Sequence, residues 1–168
     1  KKMMLLEFPD GAIPHGSDVA CRMFADQGVH WLIAHPERNK AVMRNPDIIK
    51  PFVDMGCMLQ LTAASVVGAF GRSAGQTAHT LLTRGLAHVV ASDAHNLAHR
   101  PPRMGEARRY LSQHFGMGIA YRLTEENPAR ILAERVAEPG EELPLAQPQQ
   151  TTPAAAPQGV IPQRMYAN

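Results

Sequence analysis

An aspartate and a histidine two residues apart, Asp93 and His95, follow the short apolar run Val89 to Ala91. At the mouth of a buried strand both side chains can reach one cation. Carboxylate oxygen with neutral imidazole is the donor pair of Mn, Fe and Zn hydrolysis centres. The same plan occurs earlier, where the apolar stretch from Trp31 delivers His35 and then the charged Glu37 and Arg38. Taken alone, His35 is a core or loop histidine; its neighbours and the Asp93/His95 pair make it a ligand candidate. A third apolar run, Met4 to Leu6, ends on Glu7. Glu7 reads either as a carboxylate paired with a nearby arginine or as a ligand, one that can bridge two ions. Three strand ends that each carry a metal-ligand residue type are the main functional signal of the chain.

Most arginines are simply solvated, but Arg38 lies three residues past His35 and Arg100 five past His95. A guanidinium fork holds phosphate oxygens in pairs and stabilises charge on a transferring phosphoryl group. Beside a metal site, Arg38 and Arg100 therefore suggest a phosphoester substrate. Glu37 is expected to orient its loop rather than to act as a base. Of the remaining histidines, His15 in the loop after Glu7 is a candidate for lining the site. His79 is expected on an exposed helix face, His30 and His88 at strand starts, and His99 and His114 in solvent. A serine triad is excluded, since no Gly-x-Ser-x-Gly occurs. Cys21 runs into Arg22 on an expected helix and Cys57 opens a strand, so neither sits in a phosphate-cradling loop. Gly68, Gly71 and Gly75 come without the lysine of a nucleotide loop.

The elements that must position these residues alternate. Residues 3–8 and 29–34 read as buried strands, as do 57–62 and 88–92. Between the first two, Ser17 and Asp18 are expected to cap a helix over Val19 to Gln27, closed by Gly28. The segment from His35 to Asn39 reads as polar loop, with Pro36 biasing His35 toward extended geometry. Asn45 and Pro46 open the next helix, which Gly56 ends. A short helix over 63–70 precedes a longer one capped by Ser73 and closed by Gly85. Met104 to Phe115 forms another helix, and Asn127-Pro128 starts a last one through Leu132. Short apolar strands separated by helices mean a parallel sheet with right-handed crossovers. Ligands then collect at the carboxyl ends of the strands, where Glu7, His35, Thr62, Asp93 and His95 all fall.

Composition bounds the rest. The chain has 168 residues, 45% hydrophobic and 19% charged, with a net charge of +2, which suits one globular domain over residues 1–138. No basic block points to nucleic acid, and no apolar run approaches the roughly 18 residues of a membrane span. Residues 139–168, rich in Pro, Gln and Ala, cannot bury enough apolar surface to offset their ordering entropy and are expected to be a disordered tail. Cys21 and Cys57 lie far apart without CxxC spacing and read as reduced, part-buried thiols of a cytoplasmic protein. The chain opens inside an apolar strand without an initiator Met, and four strands suit half a barrel. Both features lead us to expect the back portion of a larger domain.

Five segments, taken together and in order, carry a resemblance. They are Leu6-Glu7-Phe8-Pro9, Ala34-His35-Pro36-Glu37-Arg38-Asn39, Leu59-Gln60-Leu61-Thr62-Ala63 with Ser65, Phe70-Gly71, and Ala91-Ser92-Asp93-Ala94-His95-Asn96. The set resembles the bacterial protein-tyrosine phosphatases of the polymerase-and-histidinol-phosphatase (PHP) class found in capsule and exopolysaccharide gene clusters. The resemblance runs from Leu5 to Leu132. It implies an α/β fold, the C-terminal part of a distorted (β/α)7 barrel, with a divalent metal cluster. Manganese is the metal implied, with Fe, Zn or Mg as alternatives. It implies metal-ligand roles for Glu7, His35, Asp93 and His95 and phosphate contacts for Arg38 and Arg100. The implied reaction is metal-assisted hydrolysis of phosphotyrosine on the tail of a bacterial tyrosine autokinase, without a phosphoenzyme. The His-x-His strand with which such proteins begin is absent here, and four ligands cannot fill a trinuclear cluster. A small-molecule phosphoesterase acting on a substrate such as histidinol phosphate, and a degenerate module that binds without turnover, are the rival readings.

Overall fold

The computed structural model describes residues 2–133, so the tail expected at 139–168 lies outside the described residues. Four strands, β1 (Lys2–Leu6), β2 (Val29–Ala34), β3 (Met58–Thr62) and β4 (Val89–Ala91), form one sheet in the order β1-β2-β3-β4. All three pairings are parallel. Right-handed crossovers between neighbours in unreversed order place every connecting helix on the same face of the sheet. A doubly wound sheet would reverse its order at a switch point. This one does not, and four parallel β/α units in unreversed order are the arrangement found in the wall of a (β/α) barrel.

The two faces differ accordingly. Alternate residues point to opposite sides, and Ile33, Leu59, Leu61 and Val90 enter a large core with Ile49, Phe52, Leu81, Leu111 and Leu123 from the helices. Their neighbours Leu32, Met58 and Val89 form a small second cluster, flanked by Met3, Ala91 and Ile131. Both faces of the central strands are therefore apolar, which is why these strands read as continuous rather than alternating runs.

The helices are α1 (Ser17–Ala25), α2 (Lys40–Arg44), α3 (Lys50–Asp54), α4 (Ala63–Val66), α5 (Arg72–Thr83), α6 (Gly105–Phe115), α7 (Met117–Tyr121) and α8 (Asn127–Leu132). Several expectations need correction. Ser17 is inside α1 rather than capping it, since Gly16 at φ 82 occupies the cap and the Ser17 hydroxyl donates to the Pro14 carbonyl. Asn39 is a helix cap and not loop: its Oδ1 accepts the N–H groups of Ala41 and Val42 and starts α2. Asn45 does cap, but the helix behind it begins with the 3-10 turn Pro46–Ile49 before α3. Ser73 lies within α5, whose cap is Gly71 at φ 90. The expected helix over 63–70 stops at Val66. The glycine-rich stretch has a steric explanation, because a Cβ on Gly75 would stand 3.3 Å from the Cα of Gly68.

His88 shows how β3 and β4 are tied together. Its imidazole Nδ1 accepts the Leu59 N–H at 3.1 Å, its own N–H donates to the Leu59 carbonyl at 2.9 Å, and its carbonyl accepts from Asn127 Nδ2 at 2.7 Å. Burial pushes this imidazole down to about 4, against the opposing pull of a hydrogen bond with the Leu86 backbone. An unfolded histidine titrates near 6.5, so between that value and about 4 the unfolded chain binds a proton that the folded chain refuses. Stability therefore falls as pH falls through this window. Urea denaturation should show His88→Gln less stable than the parent near neutral pH, yet with a smaller loss on going to about pH 5, the difference in loss being about 2 kcal/mol. Equal losses in both proteins would remove this account of His88.

Candidate active site

The ends of β1, β2, β3 and β4 bring the candidate residues to one edge of the sheet. At the end of β1, Glu7 stands in solvent while Phe8 turns into the core and meets Phe52 edge-on. At the end of β2, the His35 N–H donates to the Gln60 carbonyl at 2.8 Å, extending the ladder by one residue. The backbone then turns left-handed, with φ 33 and ψ 51 at His35. This departs from the extended geometry expected before Pro36. A following proline disfavours the right-handed helical region, and the left-handed one ends the strand at once. The buried imidazole then faces β1, with Nε2 3.2 Å from Glu7 Oε1. The next residues form a single 3-10 turn, Pro36–Arg38, closed by the Arg38 N–H on the His35 carbonyl.

That turn delivers Arg38 to Asp93 across the sheet. Arg38 Nη1 donates to Asp93 Oδ2 at 2.8 Å, and Arg100 Nη2 donates to the same oxygen. Both guanidinium carbons stand over the Phe70 ring, at 4.9 and 5.7 Å from its centre. Two cations thus share one carboxylate and one aromatic ring, a stacking that favours arginine. The cluster keeps a positive excess, and Arg100 Nε is buried without a hydrogen-bond partner among the described residues. The loop beyond Asp93 is held by Asn96, whose Oδ1 accepts the N–H groups of Ala98, His99 and Arg100. The Arg100 carbonyl in turn accepts from His95 and Asn96. His95 Nδ1 lies 3.8 Å from the Asp93 carboxylate and 3.0 Å from its carbonyl oxygen.

Beneath these loops Glu37 is fully buried, its Oε1 accepting the Thr62 N–H at 2.9 Å. Burial raises its carboxyl to about 7, and the Thr62 N–H, the Ser65 hydroxyl and Arg38 only partly offset that rise. Glu37 Oε2 and the Thr62 and Ser65 hydroxyls have no hydrogen-bond partner of regular geometry among the described residues. Glu37 therefore braces the β2 and β3 ends from below.

With this geometry in place the relatives can be compared. The family model for capsular polysaccharide synthesis, CpsB/CapC, matches residues 1–133. The chain belongs to the CpsB/CapC family. It is 36% identical over 127 residues to the tyrosine-protein phosphatase YwqE of Bacillus subtilis, covering 74% of this chain and 49% of that relative. It is 34% identical over 114 residues to the tyrosine-protein phosphatase CpsB of Streptococcus pneumoniae, covering 65% and 47%. Its fold superimposes with a TM-score of 0.77 and 32% identity on a crystal structure from work on YwqE and CpsB, described as unique metal-dependent tyrosine phosphatases, over 81% of this chain and 55% of that one. The chain spans about half the length of the curated relatives it matches.

Seen within the CpsB/CapC family, the four sequence candidates for metal ligation form two pairs, Glu7 with His35 and Asp93 with His95. Among the described residues no three His, Cys, Asp or Glu side chains gather where they could hold an ion. The donor chemistry fits a divalent cation and the donor count supplies part of a coordination sphere. His15 is exposed in its loop, and His79 is exposed with its Nδ1 3.4 Å from the Tyr110 hydroxyl. The sequence reading missed three features: the Asp93 carboxylate between the two arginines, the Phe70 platform and the Asn96 loop. The Phe70-Gly71 and Asp93-to-Asn96 motifs marked their positions but not their partners. The left-handed His35 yields a test of stability. A glycine is favoured over alanine at such a φ, by about 1 kcal/mol. His35→Gly should therefore unfold at higher urea than His35→Ala, the reverse of the order at ordinary positions, and the opposite ranking would show that the turn carries no strain.

Proposed function

We propose that this chain carries the phosphate-gripping arginines and some of the metal-holding side chains of a metal-dependent protein-tyrosine phosphatase. The observation that supports this most is the Arg38–Asp93–Arg100 cluster over Phe70, with its positive excess and unpartnered Arg100 Nε. Phosphate oxygens placed there would receive fork-like N–H groups from two loops at once. Glu7 and His35 would hold one side of the metal site, and Asp93 with His95 the other. A divalent metal, manganese for preference, supplies Lewis acidity: it lowers the pKa of a water and draws charge off the phosphate. The remaining donors would come from outside the described residues. A cysteine nucleophile is not part of this chemistry, because Cys21 and Cys57 are buried and burial pushes the Cys57 thiol up to about 12. The substrate we assign is the phosphotyrosine tail of a bacterial tyrosine autokinase in capsule or exopolysaccharide synthesis, which places the reaction in the cytoplasm.

A second reading, a module that binds phosphotyrosine without turnover, draws on one observation: Asp93 is already ion-paired to two arginines. Both are tested by assaying the full chain with manganese, alone and mixed with the part of YwqE that it does not match. On the phosphatase reading, the mixture binds metal and hydrolyses phosphotyrosyl peptide in preference to histidinol phosphate. His35→Ala then abolishes metal binding, and Arg38→Ala lowers kcat/KM by roughly 100-fold with metal retained. Metal binding and phosphopeptide binding without turnover in the mixture would replace the phosphatase with the binding module.

A further inference from the structure

Helices α2 and α5 leave a groove of about 390 Å³ between them, floored by Thr77 and walled by Lys40, Arg44, Ser73, Gln76 and Thr80. Its place in the fold gives it a direction. Lys40 opens α2 two residues after Arg38, and Ser73 is the second residue of α5, just beyond Phe70. Both helix starts therefore lie at the strand-end edge that holds the arginine cluster, and the groove runs from that edge down the outer face. The Pro36–Arg38 turn packs against both helices.

The charged side chains of the walls are both cationic, and Met43 and Pro46 supply an apolar part of the lining. Lys40 and Arg44 are exposed, and neither has an ion-pair partner among the described residues. Asp47, three residues past Arg44, is already paired with Arg84, and Asp10 meets Lys40 through its backbone, its carbonyl accepting the Lys40 N–H at 2.7 Å. Thr77 and Thr80 spend their hydroxyl hydrogens on the Ser73 and Gln76 carbonyls, at 2.8 and 2.9 Å, so toward a ligand their oxygens act as acceptors. Gln76 offers both a donor and an acceptor. Acceptors for peptide N–H groups beside two free cations match an extended, acidic polypeptide. Residues four apart on a helix share a face, with a rise of about 6 Å between Lys40 and Arg44. Alternate residues of an extended chain are separated by about 6.6 Å and point the same way.

We propose that the α2–α5 groove binds the peptide flanking the phosphotyrosine, and selects segments with acidic residues two apart. This rests on the phosphatase reading for the phosphate's position, but the groove's charge is independent of it. The test is fluorescence anisotropy of the full chain in chelated, metal-free buffer at low salt, so that binding is read without turnover. The probes are labelled phosphotyrosyl peptides with glutamate at alternate positions on both sides, the same peptides with alanine there, and unphosphorylated versions of each. The glutamate phosphopeptide should bind about three- to tenfold more tightly than the alanine one, an advantage that fades as salt screens it. The double variant Lys40→Gln/Arg44→Gln should erase that advantage and leave the alanine phosphopeptide's affinity unchanged. Equal affinity of the two phosphopeptides for the parent, or an advantage that survives the double variant, overturns the groove proposal. A glutamate advantage with no gain from phosphate would uphold the groove and overturn the phosphatase reading instead.

Discussion

The parallel ladder in chain order is the constraint on which the rest of the structure depends. It sets the level at which each strand releases its candidate residue. Leu6 is opposite Ile33, so Glu7 falls level with Ala34, which pairs with Gln60 and through it with Val89. His35 is one position further along, Thr62 two, and Asp93 four. At about 3.3 Å per residue, β4 ends at Ala91, roughly 7 Å beyond the level of Glu7, and Asp93 follows two residues later with a left-handed backbone. The candidates lie on a rising line across the sheet. This is why they meet as two neighbouring pairs and why no group of three forms among them.

What joins the low side of that line to the high side is a charged contact between loops. The left-handed turn at His35 and the short 3-10 turn after it carry Arg38 to Asp93, while the Asn96 loop folds Arg100 back onto the same carboxylate oxygen. Asp93 thereby holds both forks in place. The forks lose little by this, since each guanidinium has more N–H groups than one carboxylate oxygen can use. Lysines would not serve, because a point charge neither stacks on Phe70 nor grips two oxygens at once. In the α2–α5 groove the cations are free and exposed, as suits long-range attraction more than fixed geometry.

Much of this was legible in the sequence, and what was hidden had a common cause. Apolar runs located all four strands, with β2 found at Val29–Ala34 as expected, β3 one residue short, β4 shortened at both ends to Val89–Ala91, and β1 at Lys2–Leu6, ending before Phe8 and largely exposed where a buried strand was expected. A strand end followed by His or Asp tells where a side chain begins. It does not tell where the side chain points, and so neither the left-handed His35 nor the shared Asp93 carboxylate was foreseeable. Helix α2 escaped notice because five residues are too few to show a helical period, although Asn39 is a good cap. Ser73 misled for the opposite reason: a good capping residue stood inside a helix that a glycine already terminated. The weight of His88 and Glu37 came only from burial, which depends on elements distant in the chain.

Among the described residues, the open edge of the sheet and the open side of the candidate donor set coincide. Among the described residues β1 has one strand neighbour, and Met4 and Leu5 on it are 47% and 62% exposed. Glu7, at its tip, is the most exposed of the candidate ligands, with 64% of its side chain open against 14% for Asp93. An unpaired edge with apolar side chains is a template for another strand. A strand laid against β1 in parallel could release its own side chains beside Glu7 and His35, where the proposed cation would need further donors. Completing the sheet and completing the coordination sphere are then a single event, so metal affinity and the stability of β1 would rise together.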